Sequence, residues 1–415
     1  MVDVTPMVEL DRLMAELAEL ALISEGEPPV VTRVVFSEAD LRGRAYVKEL
    51  CRAARLTVRE DAVGNTFIRW TGLEPDLPAV ATGSHIDAIP NAGAYDGTVG
   101  VLGGLEAIRA LQRAEFQPRR SIELVIFTAE EPTRFGIGCL GSRLMGGVLT
   151  QERALALRDK DGRGLDELRH AAGFQGDLES VRLPAGYFHA FVELHIEQGP
   201  LLEREGLDLG LVTHIAAPAS ARILIEGEGG HAGAMLMPDR HDALCAASEL
   251  ILALETAAKA TSVIDTVATV GICEVFPGAV NSVPSRVRLE VDVRDTDAKR
   301  RDGVLAGLDA AIERASSIRG VRISMEMVNS DLPDICDDRV LQIIEEAAAL
   351  AGRSSRKLVS RAYHDSLFMA RIAPVAMIFI PCRNGVSHRP DEYSSPEWIE
   401  GGVEVLARTL ATLAV

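Results

Sequence analysis

Two adjacent carboxylates, Glu130 and Glu131, follow the apolar run Ile122–Phe127, which the polar Gln117-Pro118-Arg119-Arg120 precedes. A β-branched and aromatic run of this length predicts a buried strand that carries the two acids at its carboxyl end. Open α/β sheets bind ligands at that end. Adjacent glutamates are common on exposed helices, but two acids pressed against a core strand repel each other and lose hydration. A compensating charge is then needed, and a cation is the simplest.

Further metal ligands are therefore expected, and the chain offers candidates. His85 and Asp87 stand two apart, so in extended backbone their side chains point the same way. The carboxylate can then hold the far nitrogen of a metal-bound imidazole. Asp96, followed by Gly97, is by default a helix N-cap, and a histidine such as His195 at a strand end is usually a satisfied core residue. His85 and Asp96 stand out because each adjoins the carboxyl end of a predicted parallel strand, as Glu130 and Glu131 do. With His388 added, His85, Asp96, Glu131, His195 and His388 come from four strand ends, or the loops beside them, in one predicted sheet. Two divalent cations sharing Asp96 would use all five, His85 and His195 on one, Glu131 and His388 on the other. Oxygen and imidazole donors without thiolate suit zinc or manganese alike. Cations about 3.5–4 Å apart hold a bridging water and make it acidic. Glu130 is left over, and its natural role is to take that water's proton and pass it to a departing nitrogen.

These residues must be positioned by an α/β framework. At 415 residues the chain exceeds one hydrophobic core, so two domains are expected. Helical spacing of Leu10, Leu13, Met14, Leu17 and Leu20 predicts an opening amphipathic helix. A helix near 40–54, strands near 56–60, 65–70 and 78–84, a loop over 88–95 and a helix over 98–114 follow. The charged segment 151–173 alternates like a surface helix, and a further strand covers 188–193. From about 212 to 329 the pattern becomes strand, helix, strand, strand, helix, strand, an α+β layer inserted into the larger domain. The chain then returns through a helix near 338–351, the strand Val375–Ile380 and a closing helix. The expected division is 1–211 with 330–415 for the catalytic domain, its mostly parallel sheet flanked by helices, and 212–329 for the insert.

Composition excludes several classes of partner. A formal net charge of −18 with no Lys/Arg-rich run argues against nucleic acid and anionic membrane. Six cysteines without paired spacing indicate neither a disulfide framework nor a zinc knuckle. No apolar run reaches about 18 residues, and the amino-terminal stretch carries acids where a secretory signal carries bases. A soluble, cytoplasmic protein is expected.

Gly83-Ser84-His85-Ile86-Asp87, Tyr95-Asp96-Gly97, Glu130-Glu131-Pro132-Thr133-Arg134-Phe135, His195-Ile196-Glu197-Gln198-Gly199-Pro200, Gly230-His231-Ala232-Gly233 and Ser387-His388 together resemble the dinuclear aminoacylase and carboxypeptidase family of metallohydrolases. More narrowly, they are similar to its allantoate, N-carbamoyl-amino-acid and ureidoglycolate amidohydrolase branch. The resemblance covers almost the whole chain, in order. It implies a catalytic α/β domain with an inserted dimerisation lid, and the metal and base assignments already argued. It also implies that His231 and Asn281 reach across a homodimer to the carbonyl oxygen and the substrate, and that Arg294 holds a substrate carboxylate. The residue types suit these roles. An Arg fork matches a carboxylate, and one donor aimed at a developing oxyanion is worth about 3–4 kcal/mol. Gln198 is a plausible further contact to a ureido group.

Carbamoylases and allantoate hydrolases of the branch carry Gly-Ala-Gly-His-Asp where this chain has Arg361-Ala362-Tyr363-His364-Asp365. A tyrosine in place of glycine shrinks the pocket and adds a hydroxyl, which suits a small hydroxy acid. The resemblance therefore implies release of ammonia from ureidoglycolate, with Tyr363 and His364 at the substrate. Allantoate and N-carbamoyl-L-amino acids are the alternative substrates, and an aminoacylase or peptidase activity the more distant one.

Overall fold

The computed structural model describes residues 2 and 4–415. Four largely apolar segments form its central strands, Val375–Ile380, Phe188–Ile196, Ala79–His85 and Ile122–Phe127, side by side in that order and all parallel. Strands buried on both faces need such segments. Leu209–Ile215 joins antiparallel beside Val375–Ile380, and Thr66–Trp70 beside Ile122–Phe127, with Thr57–Glu60 beyond it. The sheet is thus mixed around a parallel centre. Its register sets His85 opposite Phe127 and Ile196 opposite Ile380, so the carboxyl ends of all four central strands reach one edge.

Helices Thr98–Arg113 and Pro396–Leu413 pack on the sheet and on each other. Glycine makes the first approach close, since a Cβ at Gly100 would stand 2.4 Å from the Leu194 carbonyl oxygen. A separate cluster of Phe67, Phe127, Phe188 and Phe191 with Leu140, Leu165 and Leu178 forms further core. It corrects the reading of 151–173 as a surface helix. That segment folds as two short helices, Gln151–Ala156 and Leu165–Ala171, whose Ala154, Leu165 and Leu168 are buried in the cluster. The expected loop 88–95 likewise contains a strand, Ala88–Ala92, paired antiparallel with Val31–Arg33.

The chain divides into two compact units. The first runs to Thr213 and resumes at Cys336–Leu358 and His364–Val415; the second comprises His214–Ile335 and Val359–Tyr363. In the second, four antiparallel strands lie in the order Val267–Phe276, Arg286–Asp295, Ala217–Glu226 and Arg322–Ser330. Helices Ala243–Ala260 and Ala298–Arg319 pack together and close a core that includes Ile223, Leu250, Leu289 and Leu308. Among the described residues, no helix is long and apolar enough to cross a membrane.

Candidate metal centre

The parallel register brings the strand-end histidines together. His85 donates from Nδ1 to the Asp87 carbonyl oxygen at 2.9 Å, which turns Nε2 toward Asp96 Oδ1, 3.7 Å away. His195 donates from Nδ1 to the Ile196 carbonyl oxygen, also at 2.9 Å, and its Nε2 lies 3.1 Å from the same oxygen. The other oxygen of Asp96 faces a different partner, with His388 Nε2 3.1 Å from Oδ2 and 3.4 Å from Glu131 Oε1. Two donor groups share Asp96, His85 with Asp96 and His195, and Asp96 with Glu131 and His388, the atoms of each within 4.8 Å of one another; Glu193, His195 and His364 form a third cluster by the same measure. Gly97, at φ 67°, is required here because a Cβ would stand 2.5 Å from His85 Nε2.

Backbone geometry fixes the two glutamates. Asp87 accepts from the amides of Glu130 and Glu131 at 3.2 and 3.1 Å. Its carboxylate oxygen is 3.7 Å from His85 Nδ1, so the expected Asp87 clamp on that ring is made instead by the Asp87 backbone carbonyl. The carboxylate orients Glu130 and Glu131. Cys139, Leu140 and Gly141 donate their amides to the carbonyls of Glu130, Ala129 and Thr128 at 2.7, 2.9 and 2.9 Å, closing the loop that follows the strand. The Cys139 thiol donates to Glu130 Oε1 at 3.5 Å, and Glu130 Oε2 lies 3.7 Å from His85 Nε2. Ala129, Cys139, Gln198 and His388 all have positive φ, between 53° and 59°. Such conformations are unfavourable for non-glycine residues and persist where surrounding contacts enforce them, as at active sites.

The electrostatics describe a crowded nest of acids. Burial pushes Glu130 well above the usual carboxylate range, with His85 opposing the rise and Glu131 adding to it. Burial raises Glu131 to about 7, and Asp96 adds to the rise. Burial would raise Asp96 too, but its bonds to His195, His388 and His85 hold it well below. Hydrogen bonding to Asp96 lifts His388 to about 9. Three buried acids converging with three imidazoles, and no sulfur among the donors, is a set that fits divalent zinc or manganese.

Glu392 and Glu193 support the site and are not among the site residues expected from the sequence, whereas His364 and Gln198 are. Glu392, 5% exposed, accepts from the amides of Tyr95 and Asp96 and from the Ser387 hydroxyl. Glu193 accepts from the hydroxyls of Ser84 and Ser366 at 2.8 and 2.6 Å beneath His195. A charged residue inside the apolar run Phe188–Ile196 was the available clue to it. His364 is buried with its ring edge on His195, centroids 4.5 Å apart. Asp365 accepts from Ser142 Oγ at 2.5 Å. Gln198 donates from Nε2 to Asp96 Oδ2 at 2.8 Å and to Ser387 Oγ at 3.3 Å, while its buried Oε1 has no partner among the described residues.

The remaining expected substrate residues belong to the second unit. His231 is exposed, pairs through its backbone with Ser282, and accepts the Gly233 amide at Nδ1, which leaves the proton on Nε2. Asn281 is exposed beside it, its carbonyl accepting the Ala232 amide. Arg294 bonds Asp292 at 2.6 Å, and its guanidinium lies 5.2 Å from the centre of the Tyr363 ring.

Comparison with known proteins matches residues 81–412 to peptidase family M20/M25/M40. A ureidoglycolate hydrolase of Arabidopsis thaliana is 52% identical over 415 residues, covering 98% of this chain and 87% of that protein. An N-carbamoyl-L-amino acid amidohydrolase of Geobacillus stearothermophilus is 39% identical, covering 98% of this chain and 99% of its own. Crystal structures of AtUAH in complex with (S)-hydroxyglycine and with glyoxylate each superpose with a TM-score of 0.93, at 51% and 52% identity, over 99% of both chains.

Proposed function

This chain belongs to peptidase family M20/M25/M40, and from that premise we propose that it is a dinuclear ureidoglycolate amidohydrolase, a cytoplasmic homodimer joined through its second unit. One observation carries the mechanism. The two oxygens of Asp96 face separate donor groups, and Glu130, beside both, belongs to neither.

His85, His195 and Asp96 would hold one cation, and Asp96, Glu131 and His388 the other, manganese or zinc. When bound, such a pair polarises a carbonyl oxygen and makes water acidic near neutral pH. Glu130 receives the proton of the attacking water and returns it to the ureido nitrogen, which leaves as ammonia. The thiol of Cys139 fixes one Glu130 oxygen and leaves the other directed at the site. Asp87 holds the glutamate backbone through both amides. Gln198 Oε1, a buried acceptor, suits the terminal ureido NH2. Nε2–H of His231 and the side chain of Asn281, supplied by the partner copy, donate to the carbonyl oxygen as charge develops on it. Arg294 would hold the substrate carboxylate, and Tyr363 and His364 would contact the substrate. Water adds to the carbonyl carbon and the C–N bond to the terminal nitrogen breaks. The carbamate left behind loses carbon dioxide to give an unstable hydroxy amine, the source of glyoxylate and a second ammonia.

The substrate reading favours ureidoglycolate over allantoate and N-carbamoyl-L-amino acids because Tyr363 occupies the branch's glycine position and similarity to the plant ureidoglycolate hydrolase is greater. Ammonia release from the three substrates, assayed in parallel after reconstitution with manganese or zinc, tests it. Ureidoglycolate should show the highest kcat/KM. Faster turnover of an N-carbamoyl-L-amino acid would overturn the assignment.

A further inference from the structure

Glu392 stands in Asp391-Glu392-Tyr393, a segment that reads as a solvated loop, yet its carboxylate is buried. A buried carboxylate is costly unless donors meet it, and three do. Oε1 accepts the amides of Tyr95 at 2.8 Å and Asp96 at 3.0 Å; Oε2 accepts the Ser387 hydroxyl at 2.7 Å. Gly93 makes the approach possible, since a Cβ there would stand 2.3 Å from Glu392 Cβ and 2.6 Å from Oε1. The rings of Tyr95 and Tyr393 meet edge to face beside it, centroids 6.0 Å apart.

These contacts join two segments nearly 300 positions apart in sequence at the point where each carries a donor. Asp96 lies on one, and His388, next to Ser387, on the other. Ser387 Oγ is 3.1 Å from Asp96 Oδ2 and has one proton, which the shorter contact directs to Glu392. His388 needs such a tie. It sits at φ 59° in a loop, and 47% of its side chain is exposed. Glu392 itself belongs to neither donor group.

We infer that Glu392 is a positioning residue for one cation of the pair. It straps the Ser387-His388 loop to the Asp96 backbone and assembles Asp96, Glu131 and His388, while the His85 and His195 side does not depend on it. The inference rests on the dinuclear reading above. Supporting partners of this kind typically change metal affinity by about 10–100-fold.

The test is chelator competition on the purified full chain with manganese or zinc, read as stoichiometry and stepwise affinity rather than activity. Wild type should bind two ions. In Glu392→Ala the ion that His388→Ala also weakens should lose about 10–100-fold in affinity and the other remain within about threefold. Ser387→Ala cuts the same strap from its other end and should weaken the same ion. Glu392→Gln keeps an acceptor for the two amides and should weaken it less. If Glu392→Ala proves unfolded by circular dichroism, the other two variants decide. Adding Glu392→Ala to His388→Ala should have little further effect, whereas adding it to His195→Ala should be additive. Two ions bound with wild-type affinities in Ser387→Ala and in a folded Glu392 variant, or equal weakening of both ions, overturns the inference alone. Fewer than two ions on wild type overturns the dinuclear reading and this inference with it.

Discussion

The two donor groups around Asp96 are built differently. His85 and His195 lie at the ends of parallel core strands, 2% and 1% exposed, and each ring is held at Nδ1 by a backbone carbonyl. His388 is carried by a loop and leaves 47% of its side chain exposed. A ligand on a strand inherits its place from the sheet register, which aligns His85 with Phe127 and His195 with Phe379. A ligand on a loop needs dedicated holders, and here they are the buried side chain of Glu392 and the half-buried ones of Ser387 and Gln198. Asp87 fixes the amides of both Glu130 and Glu131, but the side chain of Glu130 meets a thiol and stays out of both groups.

The largest effect should come from Glu130→Gln, which tests whether a residue beside both groups belongs to either. Loss of the base should reduce kcat by about 10²–10⁴-fold with metal content unchanged by elemental analysis. Loss of an ion would place Glu130 among the ligands and erase the division. Near-normal turnover would remove it from proton transfer.

Next, the strand and loop histidines should part company when each is truncated and the chelated protein is unfolded in urea. His195→Ala opens a cavity against His364 and Phe379, whose rings lie 4.5 and 6.4 Å from its own. It should lower stability by about 2 kcal/mol or more. His388→Ala, half exposed, should change stability by less than about 0.5 kcal/mol while still weakening metal uptake. Equal destabilisation would mean that the loop is as much part of the core as the strand.

This division also explains what could be read beforehand. Runs such as Val375–Ile380 and Ile122–Phe127 announce buried parallel strands by composition alone, and any His, Asp or Glu at their carboxyl ends becomes a candidate. That logic finds His85, Glu130, Glu131 and His195. It cannot find Glu392, because the partners that bury it, Tyr95 and Asp96, are nearly 300 positions away and its neighbours look like surface loop. Cys139 is hidden for the same reason, since its contact with Glu130 exists only once the intervening loop closes. The strand Ala88–Ala92 escaped because Pro90 and Asn91 break the apolar pattern and its pairing with Val31–Arg33 lies outside the main sheet. The segment 151–173 reads as surface because ten of its 23 residues are charged, whereas Ala154, Leu165 and Leu168 anchor it in the core.

Arg294→Ala extends the contrast to the second unit. Its guanidinium is already paired with Asp292 at 2.6 Å, so a substrate carboxylate would share it. A charge-assisted contact is worth about 1.5–3 kcal/mol, so KM for ureidoglycolate should rise by about 10–100-fold with kcat moving much less. An unchanged KM would take Arg294 out of the site, and a matching fall in kcat would mean that it acts on the transition state.

The smallest effect concerns Cys139, which holds Glu130 by its side chain where Asp87 holds it by its backbone. The thiol is a weak donor at 3.5 Å. Burial, followed by Glu130 and Asp365, pushes its pKa well above that of an ordinary cysteine, so it stays a neutral S–H able to donate to a carboxylate. Cys139→Ala removes that donor and should cost about 1 kcal/mol, a fall of about fivefold in kcat with KM and metal content unchanged. Cys139→Ser restores a hydroxyl donor and should recover part of the loss. Because the thiol is buried and protonated, mild alkylation should label the exposed Cys245 and Cys273 first and leave activity intact. An alanine variant as active as wild type would show that Asp87 and the loop-closing amides suffice, and that the side chain of Glu130 needs no partner to find its place.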